Sequence, residues 1–120
     1  ADTATVSQVV GSYLGVQRKL RELGQRELAE VGGIKQATYC RIEQGHIKVN
    51  LEMLMLILDH LEIPLSDIGW IINEVRRLME ADGVKLMSSI HVTDEVLLPG
   101  SRVASYVLKA LQKRYNGGEK

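Results

Sequence analysis

The chain has 120 residues, with 15 basic and 15 acidic side chains that sum to a formal charge of zero. A hydrophobic share of 45% beside 25% charged residues is an ordinary globular composition, which argues against intrinsic disorder; the length allows one domain, or one domain with an appended segment. A single cysteine excludes an internal disulfide, His46, His60 and His91 lack zinc-ligand spacing, and the longest apolar run, 53–58, is far too short to cross a bilayer. The N-terminus shows no basic stretch followed by an apolar signal core, so a reducing cytoplasm is the expected compartment. Taken at face value, zero charge also counts against a nucleic-acid partner.

Proline occurs only at 64 and 99, phenylalanine is absent, and Leu, Ile and Val dominate, which is the vocabulary of helices. Residues 1–6 are small and polar and read as a frayed arm. Val10, Tyr13, Leu14 and Leu20 then recur at helical spacing across 8–22, although Gly11 and Gly15 each weaken that helix by about 1 kcal/mol against alanine. Gly24 caps a short helix over 25–31, and Gly32-Gly33 closes it with a turn that permits positive φ. A third helix runs over 35–44 and ends at Gly45. Asn50 caps a fourth over 51–61, which Pro64 stops, and a longer fifth fits 65–82 and ends at Gly83.

The last third is less regular. Segment 84–92 alternates only in part, which leaves an edge strand and an irregular loop both open. Thr93-Asp94-Glu95 is a candidate cap for a single turn before Pro99-Gly100 breaks the chain. A final amphipathic helix spans 101–115 and is ended by Asn116-Gly117-Gly118. Its apolar residues, Val103, Ala104, Val107, Leu108, Ala110, Leu111 and Tyr115, cover too wide an arc for one packing surface, so two buried surfaces are expected.

The informative stretch is 25–45, QRELAEVGGIKQATYCRIEQG. Two short helices joined by a glycine turn need a small residue where they cross, and Ala29 supplies it. They need a permissive turn residue, Gly33, and apolar residues on the inner face, which Ile34, Tyr39, Ile42 and Leu28 provide. These residues resemble the phage-repressor/Cro-like helix-turn-helix proteins, the XRE family. The resemblance covers residues 10–68, roughly half the chain. It rests on Val10-Gly11, Leu14, Arg18, Leu23, Gln25-x-x-Leu28-Ala29, Gly33-Ile34, Thr38, Arg41-Ile42-Glu43 and Gly45. It continues through Leu51-Glu52-x-Leu54 and Leu61-Glu62-Ile63-x-Leu65-x-Asp67-Ile68.

Several positions depart from the family pattern. Gln17 stands where an apolar residue is usual, Glu22 replaces a common glycine, and Gly24 replaces a Ser or Thr cap. Lys35 replaces the Ser or Thr that caps the second motif helix, a loss of about 1 kcal/mol that puts a positive charge where a phosphate would lie. Asn50 begins the fourth helix where Pro or Ser is frequent. The fold class implied is mainly α: a five-helix repressor-like domain over 1–82, with a C-terminal extension over 83–120 that ends in the amphipathic helix.

If Ile34, Tyr39 and Ile42 point inward, periodicity turns Gln36, Ala37, Cys40, Arg41 and Gln44 outward. Near the start of such a helix these side chains reach base edges in the major groove. Gln36 suits a bidentate pair with adenine, Arg41 with guanine, and Ala37 a thymine methyl; Thr38 joins this set through the resemblance. The family likeness also implies a phosphate contact from Gln25, and Lys35 and Lys48 are further phosphate candidates. Arg18 and Glu43 match a family pair that is structural, so an ion pair is expected there. The alternative for Gln36 and Arg41 is that they are merely solvated.

Cys40 on the same face is either a thiol switch or an ordinary small residue in the groove. Trp70 falls on the polar side of the fifth helix, beside Asn73, Glu74 and Arg77, opposite the stripe Ile68, Ile71, Ile72, Val75, Leu78 and Met79. It suggests contact with a partner subunit or with the C-terminal segment, or partial cover by its own domain. A palindromic operator calls for a homodimer, with 66–120 as the symmetric contact and Trp70, Val103, Val107, Leu108 and Leu111 as its residues; the alternative is that this segment only caps the core of its own chain. The expectation is a DNA-binding transcription regulator and repressor in the cytoplasm, on the nucleoid when bound, with no cofactor, metal or catalytic site. The second reading is an antitoxin or adaptor whose 84–120 segment binds another protein. Between 17 and 48 lie seven basic and four acidic residues, so neutrality is an average over unlike parts.

Overall fold

A computed structural model of the protein describes residues 2–88 and 96–117. The expected turn at Thr93-Asp94-Glu95, and His91, lie outside the described residues. The elements in chain order are β1 (Asp2–Thr5), α1 (Val6–Leu20), α2 (Gln25–Gly32), α3 (Gln36–Glu43), α4 (Leu51–Leu61), α5 (Ser66–Ala81), β2 (Lys85–Met87), β3 (Val96–Leu97) and α6 (Gly100–Gly117). The molecule is therefore mainly helical, as the residue vocabulary implied.

The N-terminal arm is the first correction. Residues 2–5 form a strand, and Thr3, Ala4 and Thr5 are buried. This strand is the middle of a parallel sheet ordered β2-β1-β3, with Thr3 opposite both Lys85 and Leu97. Of the two readings of 84–92, the edge strand applies to Lys85–Met87. Parallel strands need long crossovers, and here five helices form the connection between β1 and β2. Thr5 ends the strand and caps α1. Its Oγ1 accepts from the Gln8 N–H at 3.2 Å while its own N–H donates to Gln8 Oε1 at 3.0 Å, a capping box that starts the helix at Val6. Gln8 Nε2 also donates to the Leu98 carbonyl at 2.9 Å, which ties the start of α1 to the segment before α6.

α1 is the central helix and packs on α3, α5 and α6. Val9, Val10, Tyr13 and Leu14 face the core, whereas Leu20, expected among them, is 62% exposed. The stripe on α5 is buried at Ile68, Ile71, Val75 and Met79 and half-buried at Ile72 and Leu78. Glu74 departs from the expected polar face: it is buried, and it accepts from Lys113 Nζ at 2.8 Å and pairs with Arg77. The turns after α1 and α4 place Glu22 and Glu62 at φ 56° and 58°. That left-handed geometry is why glycine is favoured at position 22.

Within the single chain α6 buries one of its apolar surfaces: Val103, Tyr106, Val107, Ala110 and Leu111 sit in the same core as α1 and α5. Of the residues expected at a symmetric contact, Val103, Val107 and Leu111 are 0%, 0% and 5% exposed in the chain by itself, whereas Leu108 is 49% exposed. Of the readings of Trp70, contact with the C-terminal segment is observed: the Arg114 guanidinium lies 4.4 Å from the ring centroid and reaches Asp67 at 3.3 Å.

Candidate nucleic-acid interface

The motif helices α2 and α3 are eight residues each and are joined at Gly33, whose φ of 70° only glycine adopts without strain. Ala29 is buried at their crossing, and Leu28, Tyr39 and Ile42 are buried behind them. Neither Gly24 nor Lys35 makes a side-chain cap, consistent with the missing Ser or Thr at both positions. Asn50 does cap α4, where its Oδ1 accepts from the Met53 N–H at 2.8 Å. Glu27 Oε2 and His60 Nε2 lie 2.6 Å apart and link α2 to α4.

The back of α3 is held by α1. A Cβ on Gly11 would stand 2.0 Å from the Ile42 carbonyl oxygen, so only a hydrogen fits between the helices there. Sequence reasoning missed this role and counted Gly11 as a weakness of α1. The spacing Gly11-x-x-x-Gly15, two small residues on one face, was the available signal.

The second lock is electrostatic. Arg18 Nε and Nη2 donate to the two Glu43 carboxylate oxygens at 2.7 and 3.0 Å, and Arg18 Nη1 donates to the Leu23 carbonyl at 2.9 Å. Gln25 Nε2 adds a third donor to Glu43 at 3.0 Å. Burial pulls the Glu43 carboxyl up, but these hydrogen bonds and the Arg18 charge outweigh it and hold the group below its ordinary value. Beside it the Tyr39 hydroxyl is buried, and burial first, then its interaction with the Glu43 carboxylate, pushes the phenol well up. The expected Arg18–Glu43 pair is therefore present and bidentate. The Gln25 amide N–H is directed to Glu43, and no side chain caps the start of α2.

The other face of α3 is open. Lys35, Gln36, Ala37, Arg41 and Gln44 are exposed, and Thr38 and Cys40 are half-buried; Lys48 is exposed on the link to α4. Among the described residues, the side chains of Gln36, Arg41 and Gln44 take part in no hydrogen bond or ion pair. All nine positions read as DNA contacts fall on α2, the turn after it, α3 or the link that follows, whereas Trp70 and Leu108 lie on α5 and α6. Among the described residues no cluster of His, Cys, Asp and Glu is placed to hold a metal, and no helix is long and apolar enough to cross a membrane.

Residues 17–68 match the family described as helix-turn-helix. No curated protein matches the chain. Two crystal structures of the clp gene regulator ClgR from Corynebacterium glutamicum are similar in fold. One is 24% identical, with 65% of this chain and 88% of that one covered and a TM-score of 0.50. The other is 21% identical, with 92% and 86% covered and a TM-score of 0.52. With the glycine turn, the buried rear face and the Arg18–Glu43 lock in place, residues 17–68 form a helix-turn-helix domain similar to those of the XRE-type family.

Proposed function

We propose that the protein is a cytoplasmic, sequence-specific regulator that binds a palindromic operator as a homodimer and represses by occluding a promoter. The observation that carries this reading is the unengaged outer face of α3, on a helix whose rear is locked by Gly11, Ile42 and Glu43. A rigid support with free Gln36, Ala37 and Arg41 is what base-edge recognition requires. Gln44, Cys40 and Thr38 continue that face, while Lys35, Lys48 and Gln25 flank it for phosphate contact.

An operator selected from random double-stranded oligonucleotides supplies the test. Gln36→Ala with Arg41→Ala is expected to abolish the preference for that operator, by about 10-fold or more per lost bidentate contact, with residual salt-sensitive binding retained. An unchanged preference sinks the reading.

The symmetric contact is better supported on α4 than on α6. Leu51, Met55, Leu56 and the neighbouring Leu65 are 64%, 37%, 52% and 42% exposed, and α4 follows directly on the Lys48–Asn50 link of the DNA-facing surface. Two-fold contact there keeps both α3 helices on one side of the dimer. Leu56→Glu is expected to convert dimer to monomer in sedimentation equilibrium and to weaken operator binding, with the helical circular dichroism unchanged.

A further inference from the structure

A second open apolar surface lies between α1 and α6. It is a groove of about 760 Å³ whose walls include Val16 and Leu20 on one side and Ala104, Leu108 and Tyr115 on the other. Leu20, Leu108 and Tyr115 are 62%, 49% and 57% exposed, so three large apolar side chains from two helices border one concavity. The groove follows α6 from Ser101 to Tyr115, a run of about 20 Å at 1.5 Å per residue, which suits a four-turn helix. Val16 and Ala104 also line an adjoining recess of about 240 Å³ that ends at Glu43 and Gln44.

The charges around this surface select its occupant. Among the described residues, the charged side chain lining the groove is Lys109, and those of the recess are Lys19 and Glu43, of which Glu43 is already paired with Arg18. The available charge is therefore cationic on both helices. A two-fold self-contact would set this patch against its own copy and oppose lysines without a carboxylate to answer them, whereas an acidic partner neutralises both.

We propose that the α1–α6 groove docks an amphipathic helix from a second protein, with apolar anchors between Leu20, Leu108 and Tyr115 and acidic residues beside Lys19 and Lys109. The proposal does not depend on the DNA-binding reading, since none of the residues that carry it belongs to the α3 face.

The test titrates the full-length, isotope-labelled protein with a synthetic helical peptide. Its leucines lie on one stripe and are flanked by glutamates; a twin carries lysine at every glutamate. The acidic peptide is expected to shift the amide signals of Val16, Leu20, Ala104 and Leu108 and to bind at least about 10-fold tighter than its twin at low salt, the gap closing as salt rises. Lys19→Glu with Lys109→Glu is expected to reverse the preference, and Leu108→Glu to cost about 10-fold in affinity while signal dispersion stays native. Equal binding of both peptides, no binding of the acidic one, or shifts confined to another surface overturns the proposal. So does a dimer that Leu108→Glu dissociates, because the occupant is then a second copy.

Discussion

Glu43 shows how much one side chain at the end of α3 controls. It joins α3 to α1 through Arg18 and to the first turn of α2 through Gln25. Both partners of the ion pair have side chains only 10% exposed, so removing one leaves the other buried without a counter-charge. Glu43→Ala is expected to cost about 3–5 kcal/mol in urea unfolding, and Arg18→Met with Glu43→Leu much less, because the double change removes both charges. The carboxyl is held below its ordinary value in the folded state, so its contribution is full above the unfolded value of about 4.3 and is lost as pH falls through the lower folded value. Unfolding midpoints measured from pH 6 downward should fall more steeply for the wild-type protein than for the double variant. The pair itself was legible from matching family residues; the third arm from Gln25 was not, because a bond between the start of α2 and the end of α3 depends on how the helices cross.

At the scale of elements, α1 is where local propensity and packing disagree. Its two glycines weaken an isolated helix, yet a Cβ at Gly11 would collide with backbone oxygens of Ile42 and Glu43, at 2.0 and 2.9 Å. Backbone atoms cannot rotate away as a side chain can, so the helices would have to separate. Gly11→Ala is therefore expected to destabilise by about 1–3 kcal/mol or more despite the better helix former. Gly69 on α5 is the control: it has open space around its Cβ position and no positive φ, so Gly69→Ala is expected to stabilise by about 0.5–1 kcal/mol. Thermal unfolding of the two variants against wild type checks both signs. The boundaries of α4 were readable directly, since Asn50 and Pro64 act locally. The buried side of α5 was readable only in part. Its aliphatic stripe followed from spacing, but Glu74 turned inward because Lys113 of α6 was there to meet it.

For the whole molecule, one core runs from the helix-turn-helix to the last helix. Leu28, Tyr39 and Ile57 belong to the same buried cluster as Val103, Val107 and Leu111. The sheet stitches the chain in the same way, with the N-terminal strand between two strands from beyond residue 82. Boundaries drawn at 82 in the sequence therefore predict two units, whereas the shared core predicts a single cooperative transition. Trp70 fluorescence, which reports the α5–α6 contact through Arg114, and far-ultraviolet circular dichroism should give coincident urea curves. Separate curves would show that the last helix unfolds independently. The zero charge also resolves at this scale: the excess of basic residues between 17 and 48 lies on and around the motif, and an equal acidic excess lies elsewhere.

The sequence by itself determined the helices, their breaks and the helix-turn-helix register, because helical period, caps and glycine turns are encoded within a few residues of where they act. Only the tertiary structure decided that residues 2–5 are a central strand, that α6 turns Val103, Val107 and Leu111 into the core of its own chain, and that Leu20 and Leu108 are left exposed. Those outcomes depend on which distant segments meet. A parallel strand partner, a cross-helix ion pair and the side of an amphipathic helix that finds cover are properties of the packed chain, and no local spacing records them.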